Sequence, residues 1–156
     1  MTKDALTEVI VKLAKICKRL GVRMVFIGGI AVNIYARPRT TYDVDGVISL
    51  DESNIKEFAS DAGRAGFKYD GKKPVKFIQG MPFMSLFYPK LKTYVDLFLG
   101  QSDFQKSLLA RAKRIRFHNE SINIVAPEDL ILSKLIYGRE RDIEDVREII
   151  TEGLKK

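Results

Sequence analysis

Apolar residues recur at three- and four-residue spacing over residues 2–20, where Leu6, Val9, Ile10, Leu13, Cys17 and Leu20 share one side of a helix and Gly21 supplies the stop. Residues 23–27 form a short β-branched and aromatic run, which predicts a strand ending at Gly28 and Gly29. A tight glycine turn, a short helix over 30–36 closed by Pro38, and an alternating strand over 42–50 are expected next. Asp51 predicts the N-cap of a helix that runs to about residue 65 and closes at Gly66. Residues 67–80 resolve into no single element, with Asp70-Gly71 and Pro74 as turn signals. Beyond them, 83–88 and 93–99 predict two strands of one sheet joined through Pro89. Asp103 opens a helix to about residue 112, and 114–118 with 122–125 predict a hairpin. Pro127 opens a helical region that Gly138 interrupts before a last helix over 139–153. The order is mixed α/β, without the regular alternation of a doubly wound sheet.

With 156 residues, 46% of them hydrophobic, the chain is expected to form a single domain over 1–156, its C-terminal helical part beginning at about 127. No apolar run reaches the roughly 18 residues that span a bilayer, so a soluble, cytoplasmic protein with no membrane partner is expected. Cys17 is the only cysteine and lies on the apolar side of its helix, and His118 is the only histidine. Neither a zinc cluster nor a histidine-based triad can be assembled from that composition. The formal charge of +7 draws polyanions without selecting one. Lys72-Lys73, Lys76 and Lys90 to Lys92 are dense and interleaved with Phe77, Tyr88 and Tyr94, which fits a polyanion surface, whereas Arg111 to Arg116 is expected to be a solvated hairpin edge.

The chemistry concentrates in three places. Asp43 and Asp45 alternate with Val44, so on one strand both would point to the same face, with Cα atoms about 7 Å apart. Asp96 interrupts the otherwise apolar run from Tyr94 to Leu99, where an ionised group is costly unless compensated. If the three carboxylates meet on neighbouring strands, each close pair repels by about 4 kcal/mol at 4 Å and an effective dielectric of 20. Divalent cations convert that repulsion into a binding site, and two Mg²⁺ (or Mn²⁺) ions about 3.5 to 4 Å apart suit carboxylates and phosphates together. Gly28 and Gly29 let backbone N–H groups approach a phosphate at the start of the next helix. Arg39, Thr40 and Thr41 stand just before the acidic pair, where they can hold a nucleoside triphosphate. Neither a P-loop nor a dinucleotide-binding glycine motif is present.

In Gly28-Gly29, Arg39-x-Thr41-x-Asp43-x-Asp45 and Asp96, the sequence resembles the nucleotidyltransferase superfamily related to DNA polymerase β. Within it, the chain looks most like small single-domain members related to abortive-infection toxins. The resemblance covers about residues 24–150 and implies an α/β (α+β) fold, a mixed sheet flanked by helices with further helices at the C-terminus. It also implies transfer of a nucleoside monophosphate from a triphosphate to an acceptor hydroxyl, with Asp43, Asp45 and Asp96 as catalytic and metal-binding residues. The acceptor would be an RNA 3′ end or a protein side chain, and a cognate antitoxin or partner protein would belong to such a system. A later motif of those relatives matches Lys134-Leu135, Arg141-Asp142 and Asp145, and Lys134 stands among Leu130, Ile131 and Tyr137 on its helix, from which it can reach a triphosphate. Ile30 and Ala31 depart from relatives that carry a polar residue after the glycines.

Other readings stay open at single residues. The glycines fit a simple turn, Asp96 fits a buried partner for a lysine or arginine, and Arg39, Thr40, Thr41 and Lys134 fit ordinary structural roles. Arg141 and Asp145 have the spacing of a surface ion pair. A non-catalytic nucleotide- or RNA-binding module on the same fold is the alternative to an enzyme.

Overall fold

The computed structural model describes residues 3–69 and 71–155. The amphipathic pattern at the N-terminus becomes α1 (Lys3–Leu20), with Leu6, Val9, Ile10 and Leu13 buried and Gly21 left-handed at its end. β1 (Met24–Ile27) runs straight into α2 (Gly28–Tyr35), and β2 (Val44–Ile48) follows a loop. After α3 (Ile55–Arg64) come two short strands, β3 (Lys68–Tyr69) and β4 (Lys76–Ile78), then β5 (Met81–Tyr88) and β6 (Thr93–Leu99) with a single 3-10 turn over Pro89–Leu91 between them. α4 (Asp103–Arg111), the hairpin β7 (Lys113–Phe117) and β8 (Glu120–Ile124), α5 (Pro127–Tyr137) and α6 (Glu140–Leu154) complete the order.

The strands form one mixed sheet in the order β3, β5, β6, β2, β1, β8, β7, with β4 also paired to β5. β2 lies antiparallel to β1 and parallel to β6, so the sheet's centre joins chain segments far apart in sequence. Burial alternates strictly along β5 and β6: Met84, Leu86, Tyr88, Val95, Leu97 and Leu99 are buried, whereas Phe83, Ser85, Phe87, Tyr94, Asp96 and Phe98 on the other face are not. α1 and α3 cover the buried face. The Tyr88 hydroxyl donates to Glu8 of α1, and its ring packs 4.9 Å from that of Phe67, just past α3. α4 packs on β1 and β2, where Leu109 and Val47 close over Gly100. α5 and α6 pack on each other and on α2. No helix among the described residues is long and apolar enough to cross a membrane.

Several boundaries differ from the sequence expectation. The glycines are the first two residues of α2 rather than a turn before it. α3 starts at Ile55 because Asp51 spends its carboxylate on a preceding turn, accepting from the Ser53 backbone N–H at 2.8 Å. Ser102, not Asp103, caps α4, in a reciprocal pair with Gln105. The ambiguous stretch 67–80 holds β3 and β4, and of its turn signals Asp70 lies outside the described residues.

Candidate active site

The register of the central strands places Asp45 directly opposite Asp96, and Ser85 opposite Asp96 on the far side. Facing residues on adjacent strands are about 4.8 Å apart and share a face, so two carboxylates and a hydroxyl make one row across β2, β6 and β5. The Ser85 Oγ donates to Asp96 Oδ1 at 3.0 Å and fixes that carboxylate's rotamer. Asp45 has its pKa pushed up from 3.8 to about 6, first by burial, then by the negative charges of Asp96 and Asp43, against a smaller opposing pull from Lys134. No basic side chain stands at ion-pair distance from either carboxylate among the described residues, so the reading of Asp96 as a buried partner for a lysine or arginine does not hold.

β2 begins at Val44, paired with Val95, rather than at residue 42, so Asp43 stands exposed at the last loop position before the strand. Its negative charge is among those that raise the pKa of Asp45, so it lies near the row.

The two glycines are required by what they touch. Gly28 has φ +67°, and a Cβ there would stand 2.5 Å from Asp45 Oδ2; a Cβ on Gly29 would stand 2.5 Å from Thr41 Oγ1. Side-chain-free backbone thus lies against both a row carboxylate and the loop before β2. Ile30 and Ala31 are buried in the core.

The loop is held from two sides. Asn33 of α2 donates to the Arg39 carbonyl at 2.8 Å and accepts from the Arg39 N–H at 2.9 Å. The Arg39 guanidinium donates twice to Asp145 of α6, at 3.2 and 3.1 Å. Lys134, nearly buried, donates to Asp145 at 2.9 Å and reaches Asp142 at 3.4 Å, and Asp142 also accepts from Arg139 at 2.7 Å. These bonds hold Asp142 and Asp145 below the usual carboxylate range against the burial that would raise them. The expected surface pair of Arg141 with Asp145 is therefore corrected: Asp145 points inward, where buried Lys134 and half-buried Arg39 reach it.

Asp45, Asp96, Gly28 and Gly29 thus come together, Thr41 joins them through Gly29, and Arg39 and Lys134 stand behind, engaged with Asp145. Two residues were missed. Ser85 was legible as the polar position in an apolar strand, and Asn33 as the polar residue of a short apolar helix. A cavity of about 510 Å³ between α1, α2 and the loop is lined by Ile10, Ile34, Asn33, Arg39 and Thr41 and contains none of the row residues.

Among the described residues no three His, Cys, Asp or Glu side chains converge tightly enough to hold a metal ion unaided. The donor set nevertheless fits Mg²⁺, which commonly takes one or two carboxylates, keeps its waters and shares substrate phosphates. Two facing carboxylates, one with a raised pKa and neither neutralised by a base, are donors of that kind.

Comparison with solved structures gives the class. The chain has the nucleotidyltransferase fold: it superposes on an antigenic nucleotidyltransferase-like protein from Paracoccidioides brasiliensis with a TM-score of 0.67 at 20% identity, over 97% of this chain and 77% of that one. The lincosamide antibiotic adenylyltransferase LnuA in its lincomycin-bound form gives 0.66 at 14%, over 97% and 98%. ANT(2″)-Ia in complex with adenylyl-2″-tobramycin gives 0.64 at 13%, over 96% and 89%. No curated protein matches the sequence. The chain belongs to the family described as nucleotidyl transferase of unknown function (DUF2204), whose profile matches residues 3–155.

Proposed function

We propose that this nucleotidyltransferase moves a nucleoside monophosphate from a nucleoside triphosphate to an acceptor hydroxyl, at the row made by Asp45 and Asp96. The observation that carries the reading is their direct opposition in the β2 and β6 register with Gly28 closed against Asp45. Asp45 and Asp96, with Asp43 from the loop, would hold Mg²⁺ or Mn²⁺. When bound, the metal neutralises phosphate charge and lowers the pKa of the attacking hydroxyl. Asp96, oriented by Ser85, would accept the hydroxyl proton, and the backbone N–H groups at Gly28 and Gly29 would face the phosphates. Thr41 borders that backbone. Arg39 and Lys134 hold the loop and the rear of the site in their present pairing with Asp145, and either can turn toward a triphosphate that outcompetes it. An RNA 3′ end and a protein hydroxyl are both suitable acceptors for this chemistry. A role beside a cognate antitoxin is consistent with the sequence motifs alone.

Calorimetry with ATP, GTP, CTP and UTP, each with and without Mg²⁺, tests the nucleotide site. Metal-dependent binding of at least one triphosphate is expected in wild type and lost in Asp45→Asn. Absence of metal-dependent binding to all four would leave the fold serving as a non-catalytic module.

A further inference from the structure

The face that bears the carboxylate row also carries rings. Phe83 faces Phe98 with ring centroids 6.2 Å apart, and Phe87 faces Tyr94 at 4.8 Å, each pair bridging β5 and β6. Ser85 and Asp96 lie between them, so one aromatic pair stands on either side of the row, about 7 Å away along the strands. None of the four rings is buried, and Tyr94 is 49% exposed. Cross-strand aromatic pairing stabilises a sheet by roughly 0.2–1 kcal/mol per pair, which accounts for rings meeting each other. It does not account for Tyr94 exposed and Phe83, Phe87 and Phe98 half-buried around an acidic centre.

The sheet's edge supplies the opposite charge. Lys68 is paired with Phe87 and Lys76 with Phe83, so both emerge on the face of Asp96. Lys72 and Lys73 stand exposed in the loop between β3 and β4. From the edge inward, the face therefore runs cations, rings, then carboxylates. A single-stranded polynucleotide has the matching order of groups: phosphates, planar bases and a terminal hydroxyl. A cationic small acceptor would meet the lysines at a disadvantage, and a protein hydroxyl has no use for paired ring faces.

We propose that this face of β5 and β6 is the acceptor site and takes the 3′ end of a single-stranded RNA. Terminal bases stack on Phe87 with Tyr94 and on Phe83 with Phe98, and the backbone follows Lys68, Lys72 and Lys73. The inference rests on the nucleotidyl-transfer reading. The terminal hydroxyl oxygen forms a bond to the α-phosphorus, and the bond from that phosphorus to the oxygen bridging the β-phosphate breaks. Pyrophosphate leaves with the electron pair, and the hydroxyl proton passes through Asp96 to solvent.

Fluorescence anisotropy with a short end-labelled single-stranded RNA, run beside Mg²⁺-dependent triphosphate calorimetry on the wild type, tests it. Wild type should bind the RNA, and Phe87→Leu/Tyr94→Leu should bind about tenfold more weakly or worse, since base stacking on a ring is worth ~1–3 kcal/mol. Leucine keeps apolar bulk on the strands, and thermal unfolding checks that the variant folds. Lys72→Glu/Lys73→Glu should weaken binding and flatten its salt dependence. A folded leucine variant that binds RNA like wild type overturns the stacking site. Wild type that binds triphosphate with Mg²⁺ but ignores RNA overturns the inference and leaves the transfer reading standing. Wild type that binds no triphosphate sinks the transfer reading and this inference with it.

Discussion

Asp45 is the residue at which the proposed function and stability pull apart. Its carboxyl has an ordinary value of 3.8 and about 6 in the fold, so the folded state holds its proton more tightly than the unfolded chain does. The stability contribution tied to that proton is complete below about pH 4 and lost as pH rises through about 6. In metal-free buffer at about pH 8, Asp45→Asn should therefore be more stable than wild type by up to ~3 kcal/mol, and the gap should close near pH 4. Urea unfolding across that range measures it, and a variant no more stable than wild type at the higher pH would remove the electrostatic argument. Gly28 makes the complementary claim. Alanine there meets both a left-handed φ and the Asp45 side chain, so Gly28→Ala should lose about 2 kcal/mol or more of stability. In an Asp45→Ala background the 2.5 Å approach to Oδ2 is removed, leaving the backbone strain and the 3.2 Å approach to the Cβ, so the two penalties should not add in a double-mutant cycle.

At the scale of elements, the loop before β2 is tied to α2 through Asn33 and to α6 through Asp145. Asp145→Ala leaves Lys134 and Arg39 without that partner, one of them almost enclosed, and should destabilise the protein by about 3 kcal/mol. Chemical denaturation checks the magnitude, and a near-neutral change would mean that the network is dispensable. Periodicity made most elements legible: α1, β1, β6, the β7–β8 hairpin and the last two helices fall within a residue or two of expectation. What escaped was decided by partners far away in sequence. Asp43 and Asp45 look equivalent in an alternating run, yet pairing with β6 starts at Val44 and leaves Asp43 just outside the strand. The inward turn of Asp145 depends on Arg39, 106 positions earlier, and helical spacing alone suggested Arg141 instead. Ser102 took the cap expected of Asp103 because Gln105 could return the bond.

Over the whole molecule, the sheet order gathers Gly28, Asp45 and Asp96 from three strands or strand ends and leaves the β5 and β6 face beyond them open. One side of those strands is spent on the core under α1 and α3, and the other, only partly covered, is the side on which a substrate is proposed to bind. The carboxylates were visible in the sequence as isolated acids in apolar surroundings, but their opposition is a property of the register alone. The most direct measurement is incubation of the protein with α-labelled triphosphates, Mg²⁺ or Mn²⁺, total RNA and cell lysate, comparing wild type with Asp45→Asn and Asp96→Asn. Metal-dependent labelling of a macromolecule by wild type, lost in both folded variants, is the predicted result; labelling that persists at the wild-type rate in either variant would contradict the assignment of the row.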